Sequence, residues 1–163
     1  MSQKDRLPYA LPDLGKQEIK AASRVIRSGW LTSGPQTSAF EEEFKSFVGA
    51  QHALAVNSCT SALHLISRAL MLGPGDAIIL PTTTFIASAE ALCYEGALPL
   101  LVDVHRQSML LDPALTGSYI EEKCRRSRQG EWIHKESGRR LRALVAVHLG
   151  GRACDLDGLR ALC

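Results

Sequence analysis

The chain has 163 residues and a mass of 17.7 kDa, enough for one ordinary hydrophobic core and too little for two comfortable ones. Apolar residues make up 45% and charged residues 22%, a globular composition that excludes a disordered or fibrous chain. Nineteen Lys and Arg against seventeen Asp and Glu leave +2, too balanced to point at nucleic acid or an anionic membrane.

The opening residues Met1-Ser2-Gln3-Lys4-Asp5-Arg6 lack the apolar stretch of a signal peptide. No apolar run approaches the ~20 residues that span a bilayer, so a cytoplasmic protein with no membrane partner is expected. After Pro8 and Pro12, residues 17–28 read as a helix with Ile19, Val25 and Ile26 on one stripe. Gly29 and Ser33-Gly34-Pro35 make a loop. A second helix starts near Thr37; Phe40, Phe44 and Phe47 recur at i, i+4 and i+7 and are expected in the core, and Gly49 ends it.

From His52 the rhythm shortens. Residues 52–57 read as an apolar strand, Ser58-Cys59-Thr60 as a turn that caps a helix, and 60–72 as that helix, closed by Gly73-Pro74-Gly75. A strand at 77–80 stops at Pro81, a helix at about 88–95 ends at Gly96, and 98–102 is a third strand. Asp112 and Pro113 supply the N-cap and first residue of another helix. From Lys123 to Arg142 there are eight basic residues against two acidic ones, leaving about −4 for the remainder. Within that stretch 131–134 and 139–142 flank a Gly138 turn and suggest a surface hairpin. Its Trp132 among arginines is a weak nucleic-acid signal, and no nucleic-acid partner is expected. A further strand at 144–148 and a helix begun by Asp155-Leu-Asp157 complete the series. The chain stops about two turns into that helix, with no cap and no strand to finish a sheet.

Strands alternating with helices imply right-handed crossovers and an α/β, largely parallel sheet with helices on its faces. Five cysteines, Cys59, Cys93, Cys124, Cys154 and Cys163, form no CxxC pair and no metal-ligand spacing, so free thiols and no metal site are expected.

Chemistry concentrates at the carboxyl ends of the strands. Ser58-Cys59-Thr60-Ser61 joins a strand to a helix, where free N–H groups and the positive dipole end suit a phosphate; an ordinary Ser/Thr helix cap is the other reading. Neither GxxxxGK[ST] nor GxGxxG is present, so no nucleotide motif is indicated. Phe85, after Pro81-Thr-Thr-Thr84, lies on the same rim and either stacks on a flat cofactor or packs under its loop. His148, before Leu149-Gly-Gly151, reaches that rim too, and a structural role is expected for it and for Asp103.

Taken in order, the motifs resemble the DegT/DnrJ/EryC1/StrS family of sugar aminotransferases. Gly29-Trp-Leu-Thr-Ser-Gly34-Pro35 with Phe40-Glu-Glu-Glu-Phe44 is similar to the family's entry segment. Ser58-Cys-Thr-Ser-Ala-Leu63, Gly73-Pro-Gly-Asp76 with Pro81-Thr-Thr-Thr-Phe85, and Val147-His-Leu-Gly150 with Asp155-Leu-Asp157 follow in the family's sequence, so the likeness runs from about Leu7 to Cys163. It implies part of a fold type I large domain of the pyridoxal-phosphate (PLP) enzymes, working as a homodimer and cut before the sheet is complete. Residues 1–36 then form an N-terminal helix and substrate-side loop. Residues 37–163 form the start of the PLP-binding domain, with a basic hairpin insertion at about 128–142.

The same resemblance implies transfer of an amino group, usually from glutamate, to a keto sugar carried on a nucleoside diphosphate, for amino-sugar or surface-polysaccharide biosynthesis. By position, Thr60 and Ser61 hold the cofactor phosphate within the turn Ser58 to Ser61, and Phe85 stacks on the pyridine ring. Cys59 stands where the family usually has Gly or Ala. Trp30, Thr32, Ser33 and Gly34 lie on the substrate side. The stretch from Trp132 to Leu144 resembles a subgroup that aminates UDP-linked 4-keto, N-acetylated 6-deoxy sugars. No catalytic residue is assigned: the family's aspartate at the pyridinium nitrogen and its Schiff-base lysine match none of the residues here, including Lys4, Lys16, Lys20, Lys45, Lys123 and Lys135. An inert fragment and a PLP-dependent sugar dehydratase of the same family are the alternatives.

Overall fold

The computed structural model describes residues 10–163; Lys4, Leu7 and Pro8 lie outside the described residues. Two compact units divide the chain, one ending at Ala55 and the other beginning at Val56.

The first unit carries α1 (Lys16–Ser28) and α2 (Pro35–Val48). The Gly15 amide donates to the Glu18 carboxylate at 2.7 Å, which fixes the start of α1. Pro35 opens α2 with its φ preset for helix, and Gly49 closes it in the left-handed region at φ 69°. The phenylalanine stripe of α2 is not core, contrary to the expectation from its spacing. Phe40, Phe44 and Phe47 are 57%, 48% and 88% exposed, and α2 has no buried residue. A helical period shows that one face is apolar; burial also needs a layer to cover that face. Phe40 and Phe44 meet each other instead, ring centroids 5.9 Å apart.

The strand expected at 52–57 is also absent. The segment is unpaired, although its side chains alternate as a strand's would, with Leu54 and Val56 exposed and Ala53 and Ala55 partly covered. A strand exists only through a ladder partner, and none is found among the described residues. The Ala55 amide donates to Glu41 Oε1 of α2 at 2.8 Å instead.

The second unit runs α3 (Cys59–Ala69), β1 (Asp76–Pro81), α4 (Ala87–Cys93), β2 (Leu98–Val102), α5 (Pro113–Lys123), β3 (Cys124–Arg126), β4 (Trp132–His134), β5 (Arg140–Leu144) and α6 (Leu156–Arg160). Its five-stranded sheet has the order β2-β1-β5-β4-β3. β2 and β5 pair parallel to β1, as the alternation of elements requires, and β4 and β3 extend the sheet antiparallel. The basic hairpin therefore forms, with Ile133 opposite Arg140. It is not a surface appendage, because its second strand is β5 itself. The strand is Arg140–Leu144, ending where the one expected at 144–148 begins, and β5 must absorb a bulge between its pairings to Ala77 and Ile78.

Every residue of β1 is buried, and its two faces serve two cores. Ala77 and Ile79 pack with Leu100, Val102, Leu111, Ile120 and Leu159 on the α5/α6 side. Ile78 and Leu80 pack with Leu72, Leu92 and Ala97 on the other. This period of two explains the apolar run Ile78-Ile-Leu80: a strand covered on both faces has no polar side to show. β2 is the edge. The Val102 carbonyl accepts from the Thr82 amide, so alternate residues back from Val102 turn toward β1 and Pro99 turns outward. The edge thus lacks one amide where proline is tolerated in a sheet. At the opposite end of β1, Asp76 is buried and accepts from the Gly73 amide (3.0 Å) and from Arg140 Nη2 (3.1 Å) and Nε (3.3 Å), tying β1 to β5.

α5 and α6 begin as their sequences require: Asp112 accepts from the Leu115 amide and Asp155 from the Gly158 amide, both at 2.9 Å. Gly158 is where α6 lies against the start of α5. A methyl group there would stand 2.6 Å from Asp155 Oδ2 and 2.7 Å from Pro113 Cγ. Gly158→Ala is therefore expected to destabilise the fold by about 1–3 kcal/mol, the usual cost of overpacking, read as a lower denaturation midpoint. An unchanged midpoint would mean that α6 rides free of α5.

Candidate functional site

The turn between the extended segment and α3 is built by hydrogen bonds among its own side chains. Ser58 is the N-cap: its Oγ accepts from the Ser61 amide at 3.1 Å. The Ser61 hydroxyl donates to Asn57 Oδ1 at 2.7 Å and lies 3.0 Å from Ser58 Oγ. Sequence reasoning identified Ser58, Thr60 and Ser61 but missed Asn57. The signal available was an Asn immediately before the cap, a residue that closes local turns with its own side chain.

This network divides the labour of the turn. Ser61 is committed to Asn57 and Ser58, and the Thr60 hydroxyl takes part in none of these bonds. The amides of Cys59 and Thr60, first in the helix, have no acceptor one turn back. Small side chains leave them open, and no carboxylate occurs from Ser58 to Ser61. With the dipole of an eleven-residue helix behind it, the turn suits a dianion such as a phosphate ester. Cys59 is an exposed free thiol in the middle of it.

Phe85 follows β1 in the loop that enters α4, and α4 packs on α3. Phe85 is 77% exposed, so it does not pack under its own loop. Thr84 and Ser88 hold that loop through a 2.7 Å hydroxyl pair, and the Phe85 carbonyl accepts from the Ser88 amide. Asp103 accepts from the Val104 amide at 2.8 Å, and His148 Nδ1 accepts from the Cys154 amide at 3.1 Å.

In the first unit, Trp30, Thr32 and Gly34 share one concave surface with Val25 and Gln36, and Ser33 is not part of its lining. Gly34 sits against the Trp30 indole: a Cβ there would lie 3.2 Å from Trp30 Cε3. The absence of a side chain is what lets the loop fold onto the ring. Among the described residues no group of three or more His, Cys, Asp or Glu could hold a metal ion, and no helix is long and apolar enough to cross a membrane.

Residues 12–163 match the model of the DegT/DnrJ/EryC1/StrS aminotransferase family. The spore coat polysaccharide biosynthesis protein SpsC of Bacillus subtilis (strain 168) is 38% identical over 156 residues, covering 96% of this chain and 36% of SpsC. Among solved structures, Spr1654 of Streptococcus pneumoniae, a sugar aminotransferase by name, in its PLP-form superposes with a TM-score of 0.78 at 30% identity, over 96% of this chain and 36% of that one. The aminotransferase of Psychrobacter cryohalolentis gives 0.78 at 29% identity, over 95% of this chain and 36% of that one. The chain spans about a third of the length of these relatives.

Proposed function

Because this chain belongs to the DegT/DnrJ/EryC1/StrS aminotransferase family, we propose that it carries the phosphate-binding and ring-stacking half of a PLP site in a sugar aminotransferase. In this reading the amides of Cys59 and Thr60 and the Thr60 hydroxyl donate to the cofactor phosphate. Ser58 and Ser61 hold the turn in shape, and Phe85 covers one face of the pyridine ring. When bound, PLP supplies an electron sink that lets an amino group leave one substrate and enter another. The residues of this chain bind and orient it; none is assigned as its covalent lysine or as the acid at its ring nitrogen. Trp30, Thr32 and Gly34 face the substrate, and Ser33 belongs to the same loop without lining its concave surface. The substrate is a nucleotide-linked keto sugar, the donor an amino acid such as glutamate, and the working form a cytoplasmic homodimer.

The observation that carries this reading is the division of labour at the α3 N-terminus. Two amides and the Thr60 hydroxyl stay outside the network through which neighbouring hydroxyls lock the turn. The family match and the PLP-form of Spr1654 support the choice of ligand. In the natural full-length gene product, Thr60→Ala is expected to weaken PLP binding about tenfold, the loss of one charge-assisted hydrogen bond. Cys59→Ala, which keeps its amide, should bind as the parent does. Equal affinities for the two variants, measured by absorbance titration, would move the phosphate elsewhere.

A further inference from the structure

Outside this turn, a second group of ionisable side chains in the second unit joins α3 to the end of α4. His64 Nε2 lies 2.7 Å from Glu95 Oε1, and Arg68 Nη1 donates to Glu95 Oε2 at 3.0 Å. The Glu95 side chain is only 11% exposed, against 42% for His64 and 69% for Arg68. The Tyr94 ring stands edge-on to the His64 ring at 5.2 Å. Glu95 is the second residue past the end of α4, so one carboxylate uses both oxygens to grip two positions of the neighbouring helix. The hydrogen bonds from Arg68 and then His64 hold that carboxyl below the usual carboxylate range.

Spacing makes this grip consequential. Thr60, His64 and Arg68 are four residues apart in turn, so they form one stripe along α3. A carboxylate that fixes His64 and Arg68 fixes the rotation of α3 about its own axis, and His64 is a single turn, about 6 Å of rise, from Thr60. Both partners come from one residue at the end of α4, the helix that Phe85 enters.

We propose that Glu95 is a positioning residue for the cofactor phosphate: by holding His64 and Arg68 it sets the orientation in which α3 presents the Thr60 hydroxyl and the first amides of the helix. This rests on the phosphate reading of the Ser58–Ser61 turn. A residue that merely braces the fold would weaken every ligand of the site alike. One that orients the phosphate cradle changes the preference for PLP over pyridoxal, which has the same ring and aldehyde and no phosphate.

The test measures PLP and pyridoxal affinities on the full-length gene product, for the parent and for Glu95→Ala, Glu95→Gln and Thr60→Ala, with apo-protein melting recorded alongside. Glu95→Ala is expected to lower PLP affinity about tenfold while pyridoxal affinity moves less than about twofold. Glu95→Gln still accepts from Arg68 and can donate to the His64 ring, so it should recover most of the preference. Parallel losses for both ligands, or an unchanged ratio in Glu95→Ala, would overturn the positioning role. If Thr60→Ala abolishes the preference and Glu95→Ala leaves it intact, only this inference falls. If Thr60→Ala leaves it intact, the phosphate reading falls and takes this one with it.

Discussion

Replacing Ile79 by Ala is expected to destabilise the protein by about 2–5 kcal/mol, the range for truncating a fully buried branched aliphatic side chain. Ile79 has no exposed surface and belongs to β1, the strand that pairs with both β2 and β5. Its side chain meets the α5/α6 core, so the void would open among Leu100, Val102, Leu111 and Ile120. The sheet backbone on either side is held by parallel ladders and cannot close in, which puts the cost toward the upper part of that range. Chemical denaturation with the slope monitored alongside the midpoint is the measurement. Leu101→Ala on the edge strand, 55% exposed, is the control and should cost under about 1 kcal/mol. A loss at Ile79 no larger than the control's would remove β1 from the centre of the fold.

The second large effect concerns Asp76. This carboxylate is 5% exposed and accepts three hydrogen bonds, one from the Gly73 amide and two from Arg140. Asp76→Ala leaves the part-buried Gly73 amide without its acceptor and strips Arg140 of its inner partner, which costs roughly 2–3 kcal/mol; the exposure of Arg140 keeps the figure below that of a fully buried pair. Arg140 also donates to Glu131 at 3.1 Å, and that half-exposed contact cannot replace the inner one. Asp76→Asn keeps an acceptor for the Gly73 amide and should lose about half as much. A double-mutant cycle with Arg140→Ala separates the pair from the amide bond. Additive losses would show that the two side chains do not stabilise one another.

How far the sequence could be read differs between local and distant features. Ser58, Asp112 and Asp155 cap helices as their neighbours demand, because the bond each makes is to an amide three residues away. β1 and β2 lie where the apolar runs put them, and β1, covered on both faces, betrays itself by composition. What escaped depends on residues far apart in the chain. The phenylalanine stripe of α2 announces an apolar face without saying what covers it. Residues 52–57 have a strand's alternation and no ladder. β3 is three residues long and takes its meaning from β4. In the candidate site, the Ser58 turn was legible for the same local reason as the caps. The carboxylate of Glu95 was not, because 31 residues separate it from His64 and nothing in either neighbourhood signals the other.

Pro99 has an effect beyond the molecule itself. An open sheet edge with every amide in place is a template on which identical chains can stack, and a first such contact seeds further growth. On β2 the outward row of donors is broken at Pro99, so a strand from another copy meets a gap at the second residue of a five-residue edge. Addition of a strand at this edge is thereby disfavoured. In a crowded solution that bias separates orderly assembly from the start of a fibre: Pro99→Val would hardly alter the folded molecule, yet it would shorten the lag before aggregates form.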